Sequence, residues 1–238
     1  DTYEPLRKWL ESHLRQDSDE NSVAWITAEQ NLTNFLAGIN HEALDQVENL
    51  EDLRIRPDIV GVIPSTGEFA FIDFPNYAES SEEIIEIIET QKKSESSDKW
   101  QAIKDFCDLW DEDIMQALET TLTRLNIPFD EEYLEYLNKV SDDLGALIVQ
   151  LKNHYQRPRP YQLAFYTEQD LHPYYSFSAV SPSYPSGHAC QALFLCHLIG
   201  FHYEDKKEEL LKLAKQVADS RIILGVHYKS DNLFGFEI

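Results

Sequence analysis

Apolar residues recur at steps of three and four from Trp100 onwards, and this periodicity restricts the fold more than any other feature of the chain. Such spacing places side chains on one face of an α-helix. The sequence Asn126-Ile127-Pro128 ends the pattern, because proline disfavours helical backbone in the residue before it. We therefore predict one long helix, whose buried face consists of Trp100, Ile103, Cys107, Trp110, Ile114, Leu118, Leu122 and Leu125.

A second periodic stretch follows this break. Asp130 is suited to cap a helix, and the two glutamates that follow it are favourable at the positive end of the helix. Its predicted buried face consists of Tyr133, Leu137, Val140, Leu144, Leu147, Ile148 and Leu151. Lys152 emerges beside this face, and further helical patterns cover about 187–203 and 206–226. Together these stretches predict a mainly α fold, with a helical bundle from about residue 97 onwards.

The region before the bundle has a different pattern. Pro5–Leu14 and Val23–Leu36 have helical character, whereas the segments IRPDIVGVIP and FAFIDF flank a glycine-containing turn and predict a β-hairpin. An acidic helix, SSEEIIEIIE, and a polar stretch then precede the bundle. We predict two domains: an N-terminal α+β extension of unknown role over 1–96, which contains the hairpin, and a helical domain over 97–238.

The charge of the chain limits its partners. The 43 acidic and 20 basic residues give a formal net charge of −23, which repels nucleic acids and anionic membranes. The most apolar stretch, Ala189–Phe201, is too short to span a bilayer, which takes about 20 apolar residues. We therefore expect a soluble protein with no nucleic-acid partner and no membrane insertion, and its oligomeric state stays open.

The cysteines bear on the cellular compartment. Cys107, Cys190 and Cys196 are odd in number and lie in periodic segments, which favours buried, reduced thiols over a disulfide framework. A cytoplasmic location is favoured on this ground. The chain begins DTYEPLRKWL without a methionine, so a periplasmic or secreted protein with a removed leader stays an alternative.

Three short motifs occur in a fixed order in the helical domain. Six residues separate Lys152 from the Arg159-Pro160 pair, and PSGH occupies Pro185–His188. In the third motif five residues separate Arg221 from His227, and three separate His227 from Asp231. Each motif alone is common, but the ordered set K-x6-RP, PSGH, SR-x5-H-x3-D is specific. Between Tyr161 and Pro185 the chain is predicted to form a long loop that shapes access to a site.

The residue types in these motifs suit phosphoryl transfer, which needs positive charge and hydrogen-bond donors around the phosphoryl oxygens. Lys152, Arg159 and Arg221 supply cations, and the stretch from Lys152 to Pro160 contains three basic residues and no acidic one. Ser186 and the backbone N–H of Gly187 add neutral donors where a helix begins. These residues predict a phosphate-binding site.

Two histidines have distinct predicted roles at this site. Asp231 lies one helical turn after His227 and can hydrogen-bond one of its ring nitrogens, which leaves the other nitrogen as a nucleophile. A phosphohistidine intermediate follows from this arrangement. His188 is placed to act as general acid for the leaving alkoxide and then as base for water. This chemistry requires no metal and no cofactor.

The three motifs together resemble those of the type 2 phosphatidic acid phosphatase (PAP2) superfamily, which includes bacterial nonspecific acid phosphatases and vanadium-dependent haloperoxidases. The resemblance covers about Trp100 to Ile238 and implies a PAP2-type helical bundle. In the superfamily the last helix continues well past the final aspartate, whereas only NLFGFEI follows Asp231, so we expect a truncated chain or a short, weakly supporting helix. The residues that the resemblance implies as phosphate ligands are Lys152, Arg159, Ser186, Gly187 and Arg221, with His188 as acid and base, His227 as nucleophile and Asp231 as its orienting residue.

We therefore predict a metal-independent phosphomonoester hydrolase that is inhibited by vanadate. Lipid-active members of the superfamily carry several membrane spans, so their absence favours a small, water-soluble phosphate ester as substrate. One alternative is a vanadium-dependent haloperoxidase that holds vanadate as cofactor in the same site. A second is a catalytically degenerate phosphate-binding or interaction protein.

Other polar residues receive ordinary structural interpretations. Arg157 lies inside the first motif but not at one of its fixed positions, and we predict a solvated surface charge. His197, on an apolar helix, is predicted to be a hydrogen-bonded core histidine. Cys190 and Cys196 lie close to His188 in sequence, but packing explains them better than thiol chemistry.

Overall fold

The computed structural model describes residues 8–9, 12–13, 60–63, 68–71, 75–176, 178–179 and 181–238, and across them the chain is mainly helical. The strands are β1 (Val60–Ile63) and β2 (Glu68–Phe71). The helices are α1 (Tyr77–Glu95), α2 (Trp100–Glu112), α3 (Ile114–Arg124), α4 (Glu131–Tyr155), α5 (Pro160–Tyr166), α6 (Gly187–His202), α7 (Lys207–Ile223) and α8 (Lys229–Glu237), with a 3₁₀ turn at Glu204–Lys206. Within these ranges, no helix combines the length and apolar character that crossing a membrane requires.

The N-terminal extension is described only in part. β1 and β2 pair antiparallel, with Val60 opposite Phe71. Residues 64–67 between them and the predicted helix Val23–Leu36 lie outside the described residues, as does much of Pro5–Leu14. The α+β extension with its hairpin and the boundary at 96/97 therefore stay predictions.

Helix α1 contains the predicted acidic segment and packs on the helical domain. Its start is capped by Asn76, whose side chain accepts the N–H of Glu79 at 2.9 Å. The Glu79 carboxylate in turn accepts the backbone N–H of Asn76 at 3.0 Å. Ile84 and Ile87 on its buried face share a core with residues of α5 and with the turn after α7. Burial of this apolar face fixes α1 beside the residues that follow α7.

The prediction of one long helix from Trp100 is wrong, because the helix is divided at Asp113. The backbone of Asp113 is extended (φ −153°, ψ 105°), and its Oδ1 accepts the N–H groups of Met115 and Gln116 at 2.9 and 3.0 Å. A side chain that caps a new helix offers the backbone an alternative to continuing the old one. The apolar stripe still faces the core on both sides of the break.

Helix α4 begins as predicted, with Asp130 Oδ1 accepting the N–H of Tyr133 at 2.9 Å. Leu137 and Ile148 are buried, but Leu147 is 36% exposed, so the predicted buried face is too wide. The helix ends at Tyr155, before Gln156 adopts left-handed backbone (φ 52°). Lys152 thus lies in the last turn of α4.

The predicted loop between Tyr161 and Pro185 contains a helix, α5, at its start. Pro160 occupies the first helical position, where its missing N–H costs nothing. Arg159 before it is extended (φ −67°, ψ 155°), and its N–H donates to Gln162 Oε1 at 2.6 Å. This helix has only seven residues, which are too few to show helical periodicity. The sequence therefore predicts a loop here.

The last helix packs closely on the start of α6. A Cβ atom on Gly235 would lie 2.6 Å from the carbonyl oxygen of Ser186, so only glycine permits this approach. Phe234 stacks on Tyr184 with ring centroids 4.6 Å apart. The seven residues after Asp231 therefore include the buried part of α8 that holds the turn at Asp231 against the bundle.

Cys107, Cys190 and Cys196 are buried and free, as predicted.

Candidate active site

The three motifs converge because each of their residues lies at or near a helix end. Lys152, 6% exposed, projects from the last turn of α4 and donates from Nζ to the carbonyl oxygens of Pro182 and Ser183 at 2.7 and 3.1 Å. Burial lowers the pKa of Lys152 well below its usual value, and the nearby Arg159 lowers it further. A buried cation beside a second one is a site at which binding an anion is favourable.

Arg159 caps α5 and points toward the segment after α7. Its Nε donates to the carbonyl of Ser181 at 2.8 Å, and its Nη1 donates to the carbonyl of Val226 at 2.8 Å. Burial lowers the pKa of Arg159 to about 10. These bonds hold the guanidinium between the loop that precedes α6 and the third motif.

The PSGH motif forms the start of α6. Ser186 is the N-cap, and its Oγ accepts the N–H of Ala189 at 3.4 Å. His188, 8% exposed, is the second residue of the helix. Burial and the positive charge of Arg221 lower the pKa of His188 to about 3, so the ring is neutral at neutral pH.

Arg221 enters from the last turn of α7 and is anchored by one side of its guanidinium. Nη2 lies 2.7 Å from Asp111 Oδ1 and donates to the hydroxyls of Ser176 and Ser178 at 3.0 Å each. Its Nε and Nη1 are buried without a hydrogen-bond partner among the described residues. Buried N–H groups are costly to leave unpaired, so these donors are suited to an oxyanion.

The predicted hydrogen bond of the third motif is present. His227 Nδ1 lies 2.9 Å from Asp231 Oδ2, and Nε2 lies 2.8 Å from Arg159 Nη1. A guanidinium only donates, so Nε2 is the acceptor and the ring proton resides on Nδ1, which donates to Asp231. Burial and Arg159 lower the pKa of His227 well below its usual value, which keeps the ring neutral.

The geometry behind this bond differs from the prediction. His227 lies in the turn between α7 and α8, not within a helix, and α8 begins two residues later at Lys229. Asp231 sits in the first turn of α8, where its Oδ2 also accepts the N–H of Tyr228 at 3.0 Å and the hydroxyl of Ser183. The Asp231 carboxylate therefore both caps helix α8 and orients His227.

Residues 144–238 match the family model of the PAP2 superfamily. The chain carries a PAP2 superfamily domain. All the site residues predicted from the sequence lie inside the matched part, and such a domain indicates phosphatase- or phosphoesterase-type activity. A search of the curated proteins finds no match to the chain.

The sequence predicts a surface position for Arg157 of the PAP2 domain, and this prediction is wrong. The side chain is 1% exposed, and Nη1 lies 2.6 Å from Asp231 Oδ1. Burial would raise the pKa of Asp231, but the charge of Arg157 and the bond from His227 outweigh burial and hold the pKa below its usual range. The carboxylate is thus ionised at neutral pH.

Asp111 is a second residue that the sequence analysis missed, and it lies outside the matched part of the chain. Its Oδ1 accepts a hydrogen bond from the hydroxyl of Ser176 at 2.6 Å and lies 2.7 Å from Arg221 Nη2. Burial would raise the pKa of Asp111, but the charge of Arg221 outweighs burial and lowers the pKa below its usual value. The only signal in the sequence was a carboxylate beside Trp110 on the buried face of α2.

His197, predicted to lie in the core, is exposed.

Proposed function

We propose that the protein is a metal-independent phosphomonoester hydrolase that acts through a phosphohistidine intermediate on His227. The observation that supports this most is the position of the His227 ring. Asp231 accepts its Nδ1 proton at 2.9 Å, and the unprotonated Nε2 faces Arg159 at 2.8 Å. A neutral imidazole whose proton is fixed on one nitrogen presents the lone pair of the other as a nucleophile.

The cations form the phosphoryl-binding part of the proposed site. Arg159 and Arg221 can each offer two N–H groups to phosphoryl oxygens, and Lys152 adds a point charge. Arg221 has two buried N–H-bearing nitrogens, Nε and Nη1, without a partner among the described residues. A phosphate dianion would satisfy these donors and relieve the mutual repulsion of three desolvated cations.

In the first chemical step the lone pair of His227 Nε2 attacks phosphorus. A P–N bond forms, the P–O bond to the alcohol breaks, and His188 gives its proton to the leaving oxygen. The Arg159 N–H that donates to Nε2 must donate to a phosphoryl oxygen instead, which frees the lone pair of Nε2. The positive charge that develops on the imidazole is stabilised by the buried Asp231 carboxylate.

His188 needs the substrate in order to act as an acid. Its pKa of about 3 reflects burial and the surrounding cations, chiefly Arg221. The negative charge of a bound phosphate opposes those cations and raises the pKa of His188, so that the ring binds a proton. In the second step neutral His188 takes a proton from water, the water oxygen attacks phosphorus, and the P–N bond breaks to release inorganic phosphate.

The burial of the site favours a small, water-soluble monoester. His188 is 8% exposed and is the most accessible of the site's charged or titratable side chains. Because His227 is only 2% exposed, we infer that the alcohol next to the phosphoryl group is narrow. Ser176, Ser178 and residues 181–183 contribute hydroxyls and carbonyls to all three cations, and we assign to them the selection of the alcohol.

The test is hydrolysis of nitrophenyl phosphate in the presence of a chelator. We expect turnover by the wild type and a loss of at least about 10⁴-fold in kcat for His227→Ala, in line with the loss of a catalytic nucleophile. His197→Ala is the matched control, since His197 is exposed on α6, and it should retain wild-type activity. Chelator-resistant turnover at the wild-type rate by His227→Ala would refute the proposal.

A further inference from the structure

Arg157 contacts several side chains, although it occupies no fixed position of a motif. Nη1 donates to Ser230 Oγ at 2.7 Å and to Asp231 Oδ1 at 2.6 Å. Nη2 donates to Ser80 Oγ at 2.8 Å, and the guanidinium carbon lies 3.8 Å from the centre of the Tyr228 ring. A fully buried guanidinium with so many partners has one fixed position.

This position fixes the orientation of the Asp231 carboxylate plane relative to the proposed nucleophile. Oδ1 accepts from Arg157, while Oδ2 accepts from His227 Nδ1 at 2.9 Å. Rotation of the carboxylate would break both contacts at once. Arg157 also supplies the charge that keeps the buried carboxylate ionised, and only an ionised carboxylate accepts every donor that surrounds it.

Glu83 anchors Arg157 from helix α1, which lies outside the part of the chain that matches the PAP2 model. Glu83 Oε1 lies 3.4 Å from Arg157 Nη2 and accepts the hydroxyl of Ser230 at 2.7 Å. Its Oε2 accepts the N–H of Ser230 at 2.9 Å. The same carboxylate therefore holds the guanidinium and the first turn of α8, in which Asp231 lies.

We propose that Arg157 is a positioning residue for the His227–Asp231 pair and that Glu83 of α1 holds Arg157 in place. The inference rests on the proposed function, in which His227 attacks phosphorus. Arg157 touches no reacting atom, because Asp231 lies between it and the imidazole. Its effect reaches the reaction through the orientation and charge of that carboxylate.

The experiment compares Arg157→Met, Arg157→Lys and Glu83→Gln with the wild type in nitrophenyl phosphate hydrolysis over a range of pH. For Arg157→Met we expect kcat to fall by about 10- to 100-fold, as for other residues that orient a catalytic ligand, with KM nearly unchanged. The acidic limb of the kcat profile should move up by about one pH unit or more, because Asp231 loses the cation that keeps it ionised. Arg157→Lys retains a charge and should show a smaller shift, and Glu83→Gln a smaller one still.

The matched control is Arg124→Met, which removes an exposed arginine of α3 and should change neither kcat nor the pH profile. The Nδ1 proton of His227, observed by NMR in ligand-free protein, gives a readout that does not depend on turnover. We expect a single protected Nδ1–H signal in the wild type and its loss or broadening in Arg157→Met.

The outcomes separate the inference from the proposed function. A folded Arg157→Met protein with wild-type kcat, pH profile and Nδ1–H signal would overturn the inference. If Arg157→Met does not fold, Arg157→Lys decides in the same way: a shifted acidic limb supports the inference, and an unshifted one overturns it. If His227→Ala keeps full activity, the proposed function fails, and the NMR signal alone then decides whether Arg157 positions the histidine.

Discussion

Replacing Asp231 by asparagine removes the charge at the centre of the buried network while keeping its volume. Each of the four groups around the carboxylate donates to it: Arg157, His227 Nδ1, Ser183 Oγ and the N–H of Tyr228. An amide has one acceptor oxygen and one NH₂ group, so its NH₂ must face at least one donor. Arg157 also loses its closest anion, and Glu83 at 3.4 Å is the acidic side chain that remains in contact.

The size of the effect follows from these contacts. Removing one partner of a buried ion pair costs about 3–5 kcal/mol of unfolding free energy, because the other charge stays buried. Since asparagine leaves no cavity and Glu83 partly compensates Arg157, we expect about 3 kcal/mol, at the lower end of that range. Loss of the orienting carboxylate should lower kcat by about 10⁴-fold, as in other catalytic triads.

Urea unfolding at neutral pH, followed by circular dichroism, measures the first quantity, and nitrophenyl phosphate hydrolysis measures the second. Asp143→Asn, on the exposed face of α4, is the control and should match the wild type in both. The double variant Asp231→Asn/Arg157→Met should lose less stability than the sum of the single variants, because neither charge is left unpaired. An unfolding free energy of Asp231→Asn within about 0.5 kcal/mol of the wild-type value would show that the Asp231 charge does not stabilise the buried network.

Three further results are expected. The unfolding free energy should fall as pH drops from about 6.5 towards 3, by up to about 1.4 kcal/mol per pH unit for each buried neutral histidine. The reason is that His188 and His227 bind protons at a higher pH in the unfolded state than in the folded state. His188→Asn should flatten this dependence in urea titrations, and an unchanged slope would show that burial does not lower the pKa of His188. Gly235→Ala should lower the thermal unfolding temperature by the equivalent of about 1–3 kcal/mol, since its Cβ would meet Ser186 O at 2.6 Å, whereas a stabilised variant would show that the helices do not pack so closely. Vanadate should inhibit at least about 100-fold more strongly than inorganic phosphate, and equal inhibition would argue against a five-coordinate transition state in this site.

The motif residues were predictable because each lies at a helix end that the sequence marks. Lys152 ends a periodic stretch, Arg159 is held between two prolines, and Ser186 precedes an apolar helix as a good N-cap. A fold that brings helix ends together also brings these side chains together. The pairing of His227 with Asp231 was predicted from its spacing, although the geometry is that of a capped helix and not of two residues one turn apart in the same helix.

The residues that the sequence did not reveal depend on contacts between distant segments. Arg157 meets Asp231 across 74 positions and Ser80 across 77, so no local pattern distinguishes it from an exposed arginine. Asp111 meets Ser176 across 65 positions. The division at Asp113 was missed for a different reason: the apolar stripe continues through the break, and only the capping bonds of Asp113 stop the helix.

If His227 carries the phosphoryl group during turnover, the variant His188→Ala should show this most directly. Nitrophenolate leaves without help from an acid, so the first step should still proceed, whereas the second step lacks its base. We predict a burst of about one nitrophenol per protein molecule and a phosphoryl group, found by mass spectrometry after a neutral quench, on the peptide that contains His227. Steady turnover without a burst, or a phosphoryl group on any other residue, would contradict the claim.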